Sequence, residues 1–261
     1  MGRKIINRIG EKGINNFGSE MIIVRYKMRR DIGVYFPEYD WTAKCVRYDN
    51  FKNGNIKCPY ERRIYSVGYL GEGKYKAYEN GKQTRLYHTW HAMLQRCYDE
   101  KYHKRHPTYK NCKVCEEWHN YQNFSEWYYD NYYDVDDETM CLDKDILFKG
   151  NKLYSPETCM FVPITINSLF VKRDNDRGES VIGVSYHKRD RIYEVWCSLI
   201  NPETGKSKGK YLGRHDSQEK AFQVYKYYKE KNIKQIADYY KDKIPEKLYK
   251  ALYNYEVEIT D

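Results

Sequence analysis

The chain has 261 residues, enough for two or three small domains that each bury a core. Its formal net charge is +9 with 32% of residues charged, which favours a polyanionic partner through counterion release. Neither a run of about 18 apolar residues nor the apolar centre of a signal peptide is present, so the expectation is a soluble intracellular protein, without a membrane partner, whose eight cysteines are mostly reduced.

Residues 14–70 alternate apolar and polar side chains over short runs, the two-residue period of β-strands. In the first long run Met21, Ile23 and Arg25 face one side, and Ile22, Val24 and Tyr26 the other. Turns fall at Gly18, at Asp31-Ile32-Gly33 and at Asn53-Gly54, the last a tight-turn dipeptide. These features predict a small, strongly bent antiparallel sheet or an SH3-like barrel. Arg29, Arg30, Arg47, Lys52 and Lys57 on it are either phosphate ligands or an ordinary solvated surface. Four glycines (Gly68, Gly71, Gly73 and Gly81) then punctuate a connecting β-segment.

From Tyr87 to Tyr98 the period becomes helical, with Trp90, Met93, Leu94 and Cys97 at i, i+3, i+4 and i+7. A second helix is expected over about 123–132. Between them lies Cys112-x-x-Cys115. Thiolates at that spacing can share one tetrahedral Zn²⁺, with Cys97 upstream and His119, Cys141 or Cys159 downstream completing the set. The alternative is a group of small buried thiols without metal, since Cys97 falls on an apolar helix face. His103, His106 and His119 are surface residues or candidate bases.

Residues 142–167 read LDKDILFKGNKLYSPETCMFVPITIN. Leu142-Asp143-Lys144 forms a first strand, Asn151 falls in a loop, Tyr154-Ser155-Pro156-Glu157-Thr158-Cys159 turns the chain, and Phe161-Val162 starts the return. Residues 171–180, VKRDNDRGES, read as a polar linker. From Val181 onward three strands precede an amphipathic helix with Ser217 as N-cap and Ala221, Val224, Tyr225 and Tyr228 inward. Beyond Asn232 separate helical segments follow. Along Ile192–Leu199, Tyr193, Val195 and Cys197 share one face, and Glu194, Trp196 and Ser198 the other. Alternation alone leaves open which face the helix covers.

The order YHTWHAMLQRCY, KVCEEW, NFSEWYYDNYY, LDKDI, YSPETCMFVP resembles a family of phage-encoded HNH (ββα-metal) proteins related to homing endonucleases, over roughly residues 85–170. The resemblance implies that Asp143 and Asn167 hold Mg²⁺ and that Asn151 braces the hairpin. Lys144 stands where the family's catalytic histidine belongs, although members often carry a basic residue there. A lysine with an unperturbed pKa of about 10.4 is protonated at neutral pH, so it suits gripping a phosphate better than activating water. The segment from Val181 is similar to the ethylene-response-factor-like (AP-two) DNA-binding domain that accompanies such nucleases. It matches at Gly183-Val184, Tyr211-Leu212-Gly213 and Asp216–Ala221, and departs at His215, where a Phe is usual. Such a sheet lays one face in the major groove of double-stranded DNA. The candidates are Tyr186, Lys188, Arg189, Arg191, Tyr193, Trp196, Lys206, Lys208, Lys210 and Arg214.

The resulting expectation is an α+β, multi-domain chain. A small antiparallel β-barrel-like module occupies 1–70, a variant HNH finger domain 71–172, and a three-stranded sheet plus helix with a helical extension 180–261. Its function is that of a phage-type DNA-binding protein in the host-cell cytoplasm, cleaving or nicking DNA with Mg²⁺. The alternative is a non-catalytic regulator, or a factor engaging a host protein. An RNA-binding role is a third reading, because the chain's 30 tyrosines on a basic surface also suit single strands.

Overall fold

The computed structural model describes residues 7–171, 180–259 and 261. Most of the expected linker, 172–179, lies outside the described residues. The fold mixes helix and strand, as expected, and the chain divides into two compact units, Met1–Tyr128 and Tyr129–Asp261. Among the described residues no helix is long and apolar enough to cross a membrane.

In the first unit, β1 (Lys12–Ile14), β2 (Glu20–Met28), β3 (Asp31–Phe36) and β4 (Trp41–Val46) form an antiparallel meander in sequence order. The barrel expectation is corrected: the sheet is open. After β4 the chain turns into helix α1 (Tyr48–Lys52), whose Phe51 ring sits where a Cβ on Gly13 of β1 would meet it at 3.0 Å. Asn53 and Gly54 end that helix, Gly54 at φ +66°, so the expected tight turn is a helix terminus.

Met21 and Ile23 of β2 join Ile32, Val34, Phe36 and Ala43 in the core, as the alternation requires. A β-bulge then shifts the register between Ile23 and Arg25. Because one extra residue exchanges the two faces, Tyr26 packs inward, edge-on to Tyr48 at 6.2 Å, and Arg25 turns outward to Asp31. The expected grouping of Arg25 with Met21 and Ile23 is corrected accordingly.

Helix α2 (Arg85–Tyr98) starts at Thr84, whose hydroxyl accepts from the Tyr87 amide at 3.1 Å. Trp90, Met93, Leu94 and Cys97 all lie on its buried face. Trp90 Nε1 donates to the Trp118 carbonyl at 2.7 Å, satisfying the indole inside the core. A short helix α3 (Glu100–Arg105) follows, and α4 (Tyr121–Asn131) supplies Tyr121 and Phe124 to the same aromatic cluster.

The second unit begins with a hairpin of β5 (Met140–Asp143) and β6 (Met160–Pro163), antiparallel with Asp143 opposite Met160. Helix α5 (Ile164–Ser168) leaves β6 and packs on both strands. The three-stranded sheet is β7 (Val184–His187), β8 (Ile192–Ile200) and β9 (Ser207–His215), with β8 central. Helix α6 (Gln218–Tyr240) is capped by Ser217, whose hydroxyl accepts from the Lys220 amide at 3.2 Å. It runs unbroken past Asn232, correcting the expected break there. The reason is tertiary: the buried Asn232 amide donates to the Ile200 carbonyl and accepts from the Ile200 amide, both at 2.8 Å, while Ile233, Ile236 and Ala237 are buried. Helix α7 (Glu246–Tyr253) packs back on α6.

Candidate nucleic-acid interface

The chain leaving β5 makes a tight turn around Asp143. Its Oδ1 accepts from the Asp145 amide at 3.0 Å and the Ile146 amide at 2.7 Å. Burial, and then the charge of Asp145, push the Asp143 carboxyl above its usual range, against those two hydrogen bonds. Lys144 is 6% exposed. Its ammonium donates to Asp145 Oδ2 at 3.0 Å and to the Asn151 carbonyl at 2.8 Å. Asn151 returns the contact: its Nδ2 donates to the carbonyls of Lys144 and Leu153, each at 2.7 Å, and its Oδ1 accepts from the Leu153 amide at 3.1 Å. Lys144 and Asn151 thus clasp the two ends of one loop.

This arrangement has a direct chemical consequence. A buried amine with two of its donors spent on protein acceptors is directed away from solvent, so it is placed neither to reach a water for deprotonation nor to grip a phosphate. Asn167 lies on α5, half-buried, and its side chain has no hydrogen bond among the described residues. Asp143 Oδ2 and the Asn167 amide are the donor atoms left for a cation. One carboxylate and one amide suit Mg²⁺, which keeps several waters. Among the described residues no group of three or more His, Cys, Asp or Glu side chains is placed to hold a metal ion.

Of the zinc candidates, Cys97, Cys112, Cys115 and His119 lie in the first unit, and half-buried Cys141 and buried Cys159 in the second. Cys97 is on the core face of α2, Cys112 is buried and Cys115 half-buried. The histidines are engaged there too. His103 Nε2 lies 2.9 Å from the Arg96 carbonyl, His106 stacks on Tyr102, and buried His119 meets Tyr98 Oη at 3.3 Å. Burial lowers the His119 pKa, the loss of hydration disfavouring its cation.

The three-stranded sheet resolves the face that alternation left open. Val195 and Cys197 are fully buried and α6 packs on β8, so Glu194, Trp196 and Ser198 occupy the uncovered face. Opposite Trp196 stands Tyr211, their ring centroids 5.0 Å apart, and both are well exposed at 51% and 43%. A bulge follows, since Val195 pairs with Gly213 while Trp196 pairs with Tyr211. Leu212 is the extra residue and Gly213 adopts φ +107°, which an L side chain rarely tolerates. The bulge returns Arg214 to the face of Tyr211. There Arg214 Nε donates to Glu194 Oε1 at 2.9 Å, and His187 Nε2 lies 3.2 Å from Glu194 Oε2.

The ten expected DNA residues therefore divide. Trp196 and Arg214 lie on the uncovered face. Lys188, Arg189 and Arg191 are exposed in the turn between β7 and β8, and Lys206 is exposed just before β9. Tyr186 and Tyr193 pair at 4.9 Å on the helix side of the sheet. Lys208 and Lys210 stand opposite Leu199 and Cys197 on that same side, with the Lys210 ammonium 4.7 Å from the Tyr228 ring of α6. Sequence reasoning omitted Tyr211, Glu194 and His187. Alternation along β8 already paired Glu194 with Trp196, whereas Tyr211 required the register of β9.

Comparison with protein-family models, with curated proteins and with solved structures finds no match.

Proposed function

We propose that this chain binds double-stranded DNA through the uncovered face of β7–β9, and that its finger is a variant HNH fold kept for architecture instead of hydrolysis. The observation that carries the binding reading is the exposed Trp196–Tyr211 pair, on the sheet face opposite the one that α6 packs against among the described residues. Two large aromatics side by side in water are a poor surface for a monomer and a good one for sugar, methyl and base edges. Cations in the flanking turn, Lys188, Arg189 and Arg191, supply phosphate contacts beside them. The architectural reading of the finger rests on the Lys144–Asn151 clasp.

Fluorescence anisotropy with a labelled duplex tests the binding reading. Trp196→Ala with Tyr211→Ala is expected to weaken binding by about 1–3 kcal/mol per lost contact while leaving the melting temperature nearly unchanged, because both rings are exposed. Unchanged affinity would move the interface elsewhere.

A second reading, Mg²⁺-dependent nicking, is favoured by one feature: Asp143 Oδ2 and the Asn167 amide have no protein partner among the described residues. They would hold Mg²⁺, which would neutralise charge on a phosphate. On this reading a supercoiled plasmid is nicked with Mg²⁺ but not with chelator, and Asp143→Ala abolishes nicking. The architectural reading expects no nicking in any of the three samples.

A further inference from the structure

The arrangement around Glu194 goes beyond a generally sticky sheet. Its side chain is 14% exposed although it lies on the uncovered face, because Arg214 and His187 cover it from the strands on either side. Arg214 is 56% exposed. Only Nε is spent on the carboxylate. The Tyr211 hydroxyl is a second hydrogen-bonding partner of the guanidinium, which leaves most of its terminal N–H donors, and the two contacts together fix the plane in which those donors lie. A guanidinium held this way matches the O6 and N7 acceptors of guanine, which lie side by side in the major groove. Trp196 and Tyr211 lie next along the same face, so an apolar neighbour flanks the fork.

Charge points the same way. Arg214 is locally neutralised by Glu194, whereas the turn cations Lys188, Arg189 and Arg191 have no ion pair among the described residues. A neutralised cation adds little to long-range phosphate attraction, and a carboxylate beside a phosphate is repulsive. Base edges, which carry no net charge, suffer no such repulsion. The unneutralised cations suit phosphate, and Arg214 suits a base.

Resting on the DNA-binding reading above, we infer that Arg214 is the guanine-reading side chain of this face and that Glu194, braced by His187, is its positioning residue. Glu194 makes no contact with DNA itself in this arrangement. Its part is to hold the guanidinium in one plane before DNA arrives, which lowers the ordering cost of binding.

The test begins with selection of duplexes by the full chain from a randomised library. Binding is then measured to the selected duplex and to versions in which each guanine in turn is replaced by 7-deazaguanine, which lacks the N7 acceptor. Wild type should lose roughly tenfold in affinity at one guanine, and Arg214→Ala should be insensitive to that replacement. Arg214→Ala should also bind the unmodified duplex roughly tenfold more weakly with its salt dependence unchanged. Glu194→Ala should lose the guanine preference, Glu194→Gln should keep it because an oxygen still accepts from Nε, and Glu194→Ala should add nothing in the Arg214→Ala background. Melting temperatures of all variants establish that they are folded. A reduced salt slope in Arg214→Ala with an unchanged selected sequence would make Arg214 a phosphate ligand and overturn the inference while leaving DNA binding intact. Full retention of guanine preference in Glu194→Ala would remove its positioning role. Failure of the wild-type chain to select or bind any duplex would overturn the DNA-binding reading itself, and the inference with it.

Discussion

Replacing Glu61 by Ala is expected to lower the stability of the first unit by about 3–5 kcal/mol, the cost of removing one partner from a buried ion pair. Glu61 is 4% exposed. Its carboxylate accepts from Asn15 Nδ2, from Ser19 Oγ at 2.8 Å and from Arg63 Nε at 2.7 Å. Arg63 also donates to the Cys58 carbonyl at 2.8 Å and lies 4.1 Å over the Phe17 ring. Asn15 in turn donates to the Ile56 carbonyl and accepts from the amides of Phe17 and Ser19. The carboxylate therefore ties the turn between β1 and β2 to the chain leaving α1, two segments that share no strand pairing. Without it, several buried donors lose their acceptor at once. Hydrogen exchange localises the effect: amides of residues 12–36 should lose protection in Glu61→Ala while those of α6 keep it. The double variant Glu61→Ala with Arg63→Ala should cost less than the sum of the two single changes, since the unpaired cation goes as well. Additive costs would show that the pair is not a coupled unit.

Gly183→Ala is expected to cost the second unit about 2–5 kcal/mol, combining left-handed strain with overpacking. Gly183 adopts φ +72°, and a Cβ there would stand 2.0 Å from Tyr225 Cδ2. Tyr225 is buried on the inner face of α6, so its ring has nowhere to retreat. The Gly183 carbonyl also accepts from the Trp196 amide at 2.9 Å, which holds the entry to β7 against the central strand. Thermal unfolding checks the magnitude. Adding Tyr225→Ala relieves the clash but leaves the φ strain and opens a cavity, so it should not restore wild-type stability. A melting temperature unchanged within error in Gly183→Ala would mean that the turn relaxes without cost.

Much of the local structure was written in short-range pattern. The Trp90–Met93–Leu94–Cys97 face of α2, the Ser217 cap, the hairpin through residues 142–163 and the strand–strand–strand–helix order from Val181 all follow from signals within a few residues. Such signals are readable because hydrogen-bond geometry and side-chain period act within one element. The order of strand, loop and return strand over residues 142–163 was legible too, with Asn151 in the loop. For Lys144, position in that order and an ordinary lysine pKa suggest a phosphate grip and say nothing of where its ammonium is directed. Its carbonyl partner, the Asn151 backbone, is seven residues away, and only folding of the loop shows that the ammonium is spent inside the protein.

The register of the sheets belongs to tertiary structure. Strict alternation assigns Arg25 to the core face of β2, and it would carry Arg214 away from the face of Tyr211. One bulge between Ile23 and Arg25 and another at Leu212 reverse both assignments. A single extra residue leaves composition and local propensity almost untouched, yet it exchanges the two faces of everything beyond it. The choice of which face α6 covers is likewise a packing outcome: Val195 and Cys197 of β8 and Ala221, Tyr225 and Ile233 of α6 are all buried where the helix packs on the sheet. By itself the sequence determined the elements, their order and the basic, aromatic character of the C-terminal half. Tertiary structure decided which of those side chains meet water, because burial depends on what packs opposite and not on what stands next in the chain.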